Sequence, residues 1–203
     1  MRNASTTHRV TQVAHQLFTD EVHQTLIQFM EERAPLLPLE YENEKFSRFM
    51  AANVPMFQNI HNQLVDFASD KFGEKVKPSY SFISMYDNNG ICPLHIDRDP
   101  CIYTIDYLIR QDDPEPWPLY VGPQMSDEER QHFCDIGATH PRDKRQITQI
   151  KKSQTFTKIE FQPNDAVLYS GTHQWHYRDR IASGTADLVF FHFVPEAFSG
   201  PLI

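Results

Sequence analysis

His95, Ile96 and Asp97 form the part of the sequence best suited to chemistry, at the end of a short apolar run and just before the turn-forming Arg98-Asp99-Pro100. Side chains two apart on an extended strand share a face, so an imidazole nitrogen of His95 and a carboxylate oxygen of Asp97 can converge on one point. Nitrogen and anionic oxygen brought together in this way suit a divalent transition metal. A further donor is available downstream in Gly171-Thr172-His173-Gln174-Trp175-His176-Tyr177-Arg178. His173 and His176 are three apart, so on a strand they face opposite ways and one of them is expected to enter a shared site. The choice falls on His176, which is embedded in the strand-like QWHYRDR, whereas His173 follows Gly171 and Thr172 and reads as a loop residue. Cys92 could join a zinc site only at an offset from His95 that breaks the strand geometry.

These residues must be held by strands, and the hydrophobic period provides them. The first part of the chain is helical in pattern. Thr19 can cap a helix carrying Val22, Leu26, Phe29 and Met30, which Pro35 and Pro38 end, and a second helix runs from Pro55 to a stop at Gly73. From Ser79 the period changes to 2, and eight candidate strands follow, at 79–86, 91–97, 101–109, 118–122, 156–161, 166–170, 174–180 and 185–194. Turn chemistry separates them. The expected fold is mostly β, a double-stranded β-helix (a jelly-roll, cupin-like barrel) of about eight strands braced by N-terminal helices. The expected organisation is one domain over 1–203, with helical support in 1–78, the jelly-roll core in 79–194 and a tail in 195–203. Residues 123–154 form a polar, lid-like insertion in which Ser126 and Glu129 make a capping box, Gly137 ends the helix, and a basic stretch follows.

Composition narrows the function classes. Twenty-seven acidic residues against 19 Lys and Arg give a net charge of -8, which offers no long-range attraction to nucleic acid. No apolar run approaches a membrane span, and the N-terminal residues lack an apolar core and cleavage site for secretion. Three cysteines at unpatterned spacing fit reduced thiols, so a cytoplasmic protein is expected. Most of the ten histidines need no function: His8, His15, His23, His61, His132 and His140 read as surface residues, and His192 as a structural histidine pointing away from the barrel interior.

Two histidines and a carboxylate on one face of a small barrel form the facial triad of non-haem Fe(II) oxygenases, which leaves three coordination positions open. With the ordered set of a tyrosine strand, HxD, YTIDYL, PNDAVLY, the distal histidine strand and a last aromatic strand, residues 79–194 resemble the Fe(II)- and 2-oxoglutarate-dependent dioxygenases, nearest to the prolyl-hydroxylase-like branch. His176 stands nine residues before Thr185, a spacing similar to that between the distal histidine and the cosubstrate-binding position of that branch. The resemblance implies Fe(II) on His95, Asp97 and His176, with 2-oxoglutarate as cosubstrate. It also implies an arginine or lysine where this chain has Thr185. Another cation is therefore needed for the distal carboxylate. Arg178, two past His176 on the same strand, is the candidate, with Arg180 as fallback and Arg110 as a third choice that needs a bulge to turn inward. The resemblance places phenols of the cosubstrate pocket at Tyr86 and Tyr107, and strand parity groups them with Tyr80, Phe82 and Ser84, and with Tyr103 and Ile105, respectively.

What the resemblance implies is hydroxylation of an unactivated C–H bond with release of succinate and carbon dioxide. Halogenation is disfavoured, because Asp97 fills the position that related halogenases leave to chloride. The expected substrate is a small molecule or a peptide side chain, with neither nucleic acid nor membrane as partner. A cupin-type Fe(II) oxygenase without 2-oxoglutarate and a non-catalytic jelly-roll binding module are the alternatives.

Overall fold

The computed structural model describes residues 11–42, 45–113 and 115–202, so His8 lies outside the described residues. Helix α1 (Asp20–Glu32) starts where the Thr19 hydroxyl accepts from the Val22 amide, and it buries His23, Leu26 and Met30. The expected second helix is two: α2 (Pro55–Gln63) and α3 (Val65–Phe72) join at Leu64, and α3 ends at Gly73 with φ 78°. That left-handed backbone is accessible to glycine without a Cβ clash.

All eight expected strands are present: β4 (Val76–Tyr86), β5 (Cys92–His95), β6 (Tyr103–Gln111), β7 (Leu119–Val121), β8 (Thr157–Ile159), β9 (Ala166–Tyr169), β10 (His176–Arg178) and β11 (Ala186–Pro195). Three short strands in the helical preface extend them: β1 (Gln12–Ala14), β2 (Glu40–Glu42) and β3 (Arg48–Ala52). A seven-stranded sheet has the order β1-β9-β6-β11-β4-β3-β2, and a four-stranded sheet the order β5-β10-β7-β8, all antiparallel. From β4 to β11 successive strands alternate between the two sheets, except β7 and β8, which pair within the small sheet, and this winding makes the double-stranded β-helix.

The apolar residues form three layers. Leu26, Met30, Phe57 and Phe72 pack with Tyr103, Ile105, Tyr107, Val189, Phe191 and Phe193 between the helices and the large sheet. Leu108, Leu119, Phe161, Val167 and Leu188 fill the space between the sheets. Outside the small sheet, Trp175 and Tyr177 are covered by Met125, Phe133, Ile147 and Ile150 of the 123–154 insertion, which carries α4 (Asp127–Asp135) and α5 (Lys144–Ser153). The Ser126–Glu129 capping box opens α4.

The large sheet is buried on both faces, so apolar alternation cannot say which face looks into the barrel. Three expectations change accordingly. Tyr107 does not reach the interior: its hydroxyl meets His23 Nδ1 at 2.7 Å and Asn164 Oδ1 at 3.1 Å on the helix side. His192 points inward rather than outward, because Val189, Phe191 and Phe193 face the helices. His23 and His61 are not surface residues but are buried under the helices, His61 against Phe191 and Phe193.

Candidate active site

Strand β5 ends at His95, and the chain leaves it through Ile96 and Asp97, whose amides donate to the carbonyls of Thr139 in the insertion and Gly171 before β10. His176 opens β10 directly opposite His95 in the small sheet. The three side chains therefore meet: His95 Nε2 lies 3.3 Å and His176 Nε2 3.8 Å from Asp97 Oδ1. One ligand atom from each falls within 4.8 Å of the others.

Both imidazoles are oriented from behind. His95 Nδ1 is 2.7 Å from the Pro93 carbonyl oxygen and His176 Nδ1 2.9 Å from that of Gln174. A carbonyl only accepts, so each Nδ1 carries the hydrogen and each Nε2 is left to face the common point. Burial, then the charge of His95, pushes His176 down to about 3. Burial works against ionised Asp97, yet His176 and His95 outweigh it and hold the carboxyl below its ordinary range. Burial also opposes a charge on His95, but Cys92 and Asp97 overcome it and raise the ring to about 10. A divalent cation between the three residues would replace that proton. Two imidazole nitrogens, each ring held at Nδ1 by a backbone carbonyl, and one carboxylate fit Fe(II).

Gly171 makes room for Asp97. A Cβ at this position would overlap Asp97 Oδ2 and stand 2.6 Å from the Cys101 carbonyl oxygen. His173 lies outside the donor set; its Nε2 is 2.9 Å from Asp127 Oδ1.

The triad opens into a cavity of about 340 Å³ between the sheets. Tyr80, Phe82, Tyr86 and Phe190 supply much of its wall, and Tyr169 packs on His176 with ring centroids 4.8 Å apart. His140 of the insertion stands at the mouth, 5.0 Å between ring centroids from His95.

Tyr86 and Arg178 both line this cavity. The Arg178 guanidinium is committed: it donates to Asp106 Oδ2 and to the Trp117 carbonyl oxygen, each at 2.7 Å, in a pair buried at 2% and 0% side-chain exposure. Arg180 lies elsewhere, exposed and bonded to the Asn89 carbonyl oxygen. Arg110 pairs with Asp187 and with Glu31 of α1 and does not line the cavity. Thr185 donates to Asp112, and its neighbour Ala186 begins β11.

Sequence reasoning missed Arg48. It projects from β3 into the cavity beside Phe46 and Met50. The signal was present as the alternation Phe46, Arg48, Met50, in the stretch between the two expected helices.

Neither the family models nor the curated proteins include a match to this sequence. Solved structures share its fold. The non-haem alpha-ketoglutarate-dependent carbocyclase SnoK from nogalamycin biosynthesis is 12% identical with a TM-score of 0.73, over 93% of this chain and 80% of that one. HygX from Streptomyces hygroscopicus, with nickel and 2-oxoglutarate bound, is 12% identical with a TM-score of 0.61, over 93% and 84%. A prolyl-4-hydroxylase from Pseudomonas putida is 10% identical with a TM-score of 0.61, over 92% and 93%. The chain thus has the double-stranded β-helix fold of these oxygenases.

Proposed function

We propose that the protein is an Fe(II)- and 2-oxoglutarate-dependent oxygenase that hydroxylates an unactivated C–H bond of a small molecule or an amino-acid side chain, releasing succinate and carbon dioxide. The convergence of His95, Asp97 and His176 at the mouth of the barrel, with both Nε2 atoms turned to one point, carries this reading. The fold shared with oxygenases solved with nickel or iron and 2-oxoglutarate supports it. Bound iron would supply the activation of dioxygen.

The chain's own residues have separate tasks. His95 and His176 offer neutral nitrogens, and Asp97 adds one negative charge. Phe82, Phe190 and Tyr169 exclude water around the centre. Tyr86 belongs to the cosubstrate end of the cavity, and Arg178 stiffens the wall through Asp106. Residues 79–194 act as the catalytic core of one unit, while 123–154 cap the small sheet and bring His140 to the entrance. A small-molecule substrate suits the cavity volume of about 340 Å³, and HygX has been solved with hygromycin B bound. No helix among the described residues is long and apolar enough to cross a membrane. Three free cysteines accord with a cytoplasmic setting.

The test is aerobic turnover with Fe(II) and 2-oxoglutarate, measured as succinate. Wild-type protein should form succinate above the protein-free background and His176→Ala should not. Background levels from both proteins would overturn the proposal.

A further inference from the structure

Anionic 2-oxoglutarate needs a cation at the end of the cavity away from the metal, and the last strand supplies none: β11 turns Ala186, Leu188, Phe190 and His192 inward. Arg178 is the obvious substitute, yet its pair with Asp106 is closed off at 2% and 0% side-chain exposure, whereas Glu42, the partner of Arg48, is 33% exposed. Asp106 is fully buried with Oδ1 lacking a hydrogen-bond partner, and burial already pushes its carboxyl up despite Arg178, so this corner resists a further negative charge.

The register of the large sheet points to another residue. Ala186 of β11 pairs with Tyr86 of β4, and Tyr86 pairs with Arg48 of β3. Residues directly opposite on neighbouring strands share a face, so Ala186, Tyr86 and Arg48 form one inward-facing row. The methyl group of Ala186 leaves that row open, and Arg48 reaches into it from two strands away.

Two donors face the cavity there, Arg48 and Tyr86, with Ser84 behind them. Arg48 Nη1 donates to Ser84 Oγ at 3.2 Å and to the Tyr86 hydroxyl oxygen at 3.1 Å. The Tyr86 hydroxyl accepts from Nη1 and keeps its own hydrogen to donate, while Ser84, fully buried and outside the cavity lining, bonds both Arg48 and Tyr86 from behind. Burial pushes the Tyr86 phenol up, so it stays neutral and keeps that hydrogen. Arg48 Nε and Nη2 are held from the rim by Glu42 Oε2, each at 2.6 Å, and the guanidinium stacks 4.1 Å from the Phe46 ring centroid. Cys92 adjoins both Arg48 and His95, linking this cluster to the metal end of the cavity.

We infer that Arg48 and Tyr86, positioned by Ser84, bind the distal carboxylate of 2-oxoglutarate: a strand outside the eight-stranded barrel supplies the cation missing from β11. This rests on the oxygenase reading above. A planar guanidinium and the Tyr86 hydroxyl give a carboxylate charge-assisted donors from one side.

The experiment compares two cosubstrates by anaerobic titration into Fe(II)-loaded protein, following the visible chelate absorption. 2-Oxovalerate has the same five-carbon 2-oxo acid head as 2-oxoglutarate, with a methyl group in place of the distal carboxylate. Arg48→Gln should weaken 2-oxoglutarate binding by about 10- to 100-fold and leave 2-oxovalerate binding within about two-fold. Ser84→Ala, which preserves the sheet, should weaken 2-oxoglutarate alone by about 3- to 10-fold, and it decides the matter if Arg48→Gln fails to fold. Equal losses for both ligands in Ser84→Ala, or unchanged 2-oxoglutarate affinity in a folded Arg48→Gln, would overturn the assignment while leaving the oxygenase reading intact. Absence of any 2-oxoglutarate signal with wild-type protein would overturn both.

Discussion

At the scale of single residues, the centre depends on small groups as much as on the donors. Gly171 is the clearest case, since its missing side chain is where Asp97 Oδ2 sits, and its carbonyl accepts from the Asp97 amide. Gly171→Ala should displace the carboxylate and weaken Fe(II) binding by about ten-fold or more. Metal titration of the folded variant checks this, and wild-type affinity would contradict it. The convergence of His95, Asp97 and His176 was legible in the sequence, because HxD and the position of His176 within QWHYRDR depend only on local strand parity. Arg48 was not: its role arises from a pairing with Tyr86, across 38 positions of sequence, that no local period reveals.

At the scale of elements, all eight barrel strands and their order of turns were legible, since each is a short β-branched or aromatic run between turn residues. The direction of each face was not. A sheet covered by helices on one side and by the second sheet on the other has apolar residues on both faces, so Tyr107 and His192 were assigned to the wrong sides. The same packing buries His61 of α2 between the helices and β11. Burial pushes this imidazole down to about 3 from an ordinary 6.5. The unfolded chain therefore takes up the proton first. The stabilisation is complete above about pH 6.5 and is lost as pH falls toward the folded value. At pH 5 the loss is about 2 kcal/mol, and His61→Leu should remove it. Thermal melts at pH 7.5 and pH 5 should show a larger drop in Tm for wild-type protein than for the variant; equal drops would refute the account.

At the scale of the whole molecule, opposite charges are distributed with purpose. The chain carries a net charge of -8, yet Arg48 and Arg178 both line the cavity, each with its own carboxylate partner, Glu42 and Asp106. The small sheet brings His95 from the end of β5 and His176 from β10 together with Asp97 just beyond β5, the large sheet supplies the aromatic wall and Arg48, and the insertion closes the outer face of the small sheet. The central claim is that these parts assemble one iron centre that chelates a 2-oxo acid. Anaerobic addition of Fe(II) and then 2-oxoglutarate tests it most directly. Wild-type protein should develop the weak visible charge-transfer band of the chelate at one iron per chain, and His176→Ala should lose it; no band in wild-type protein, or an undiminished band in His176→Ala, would contradict the account.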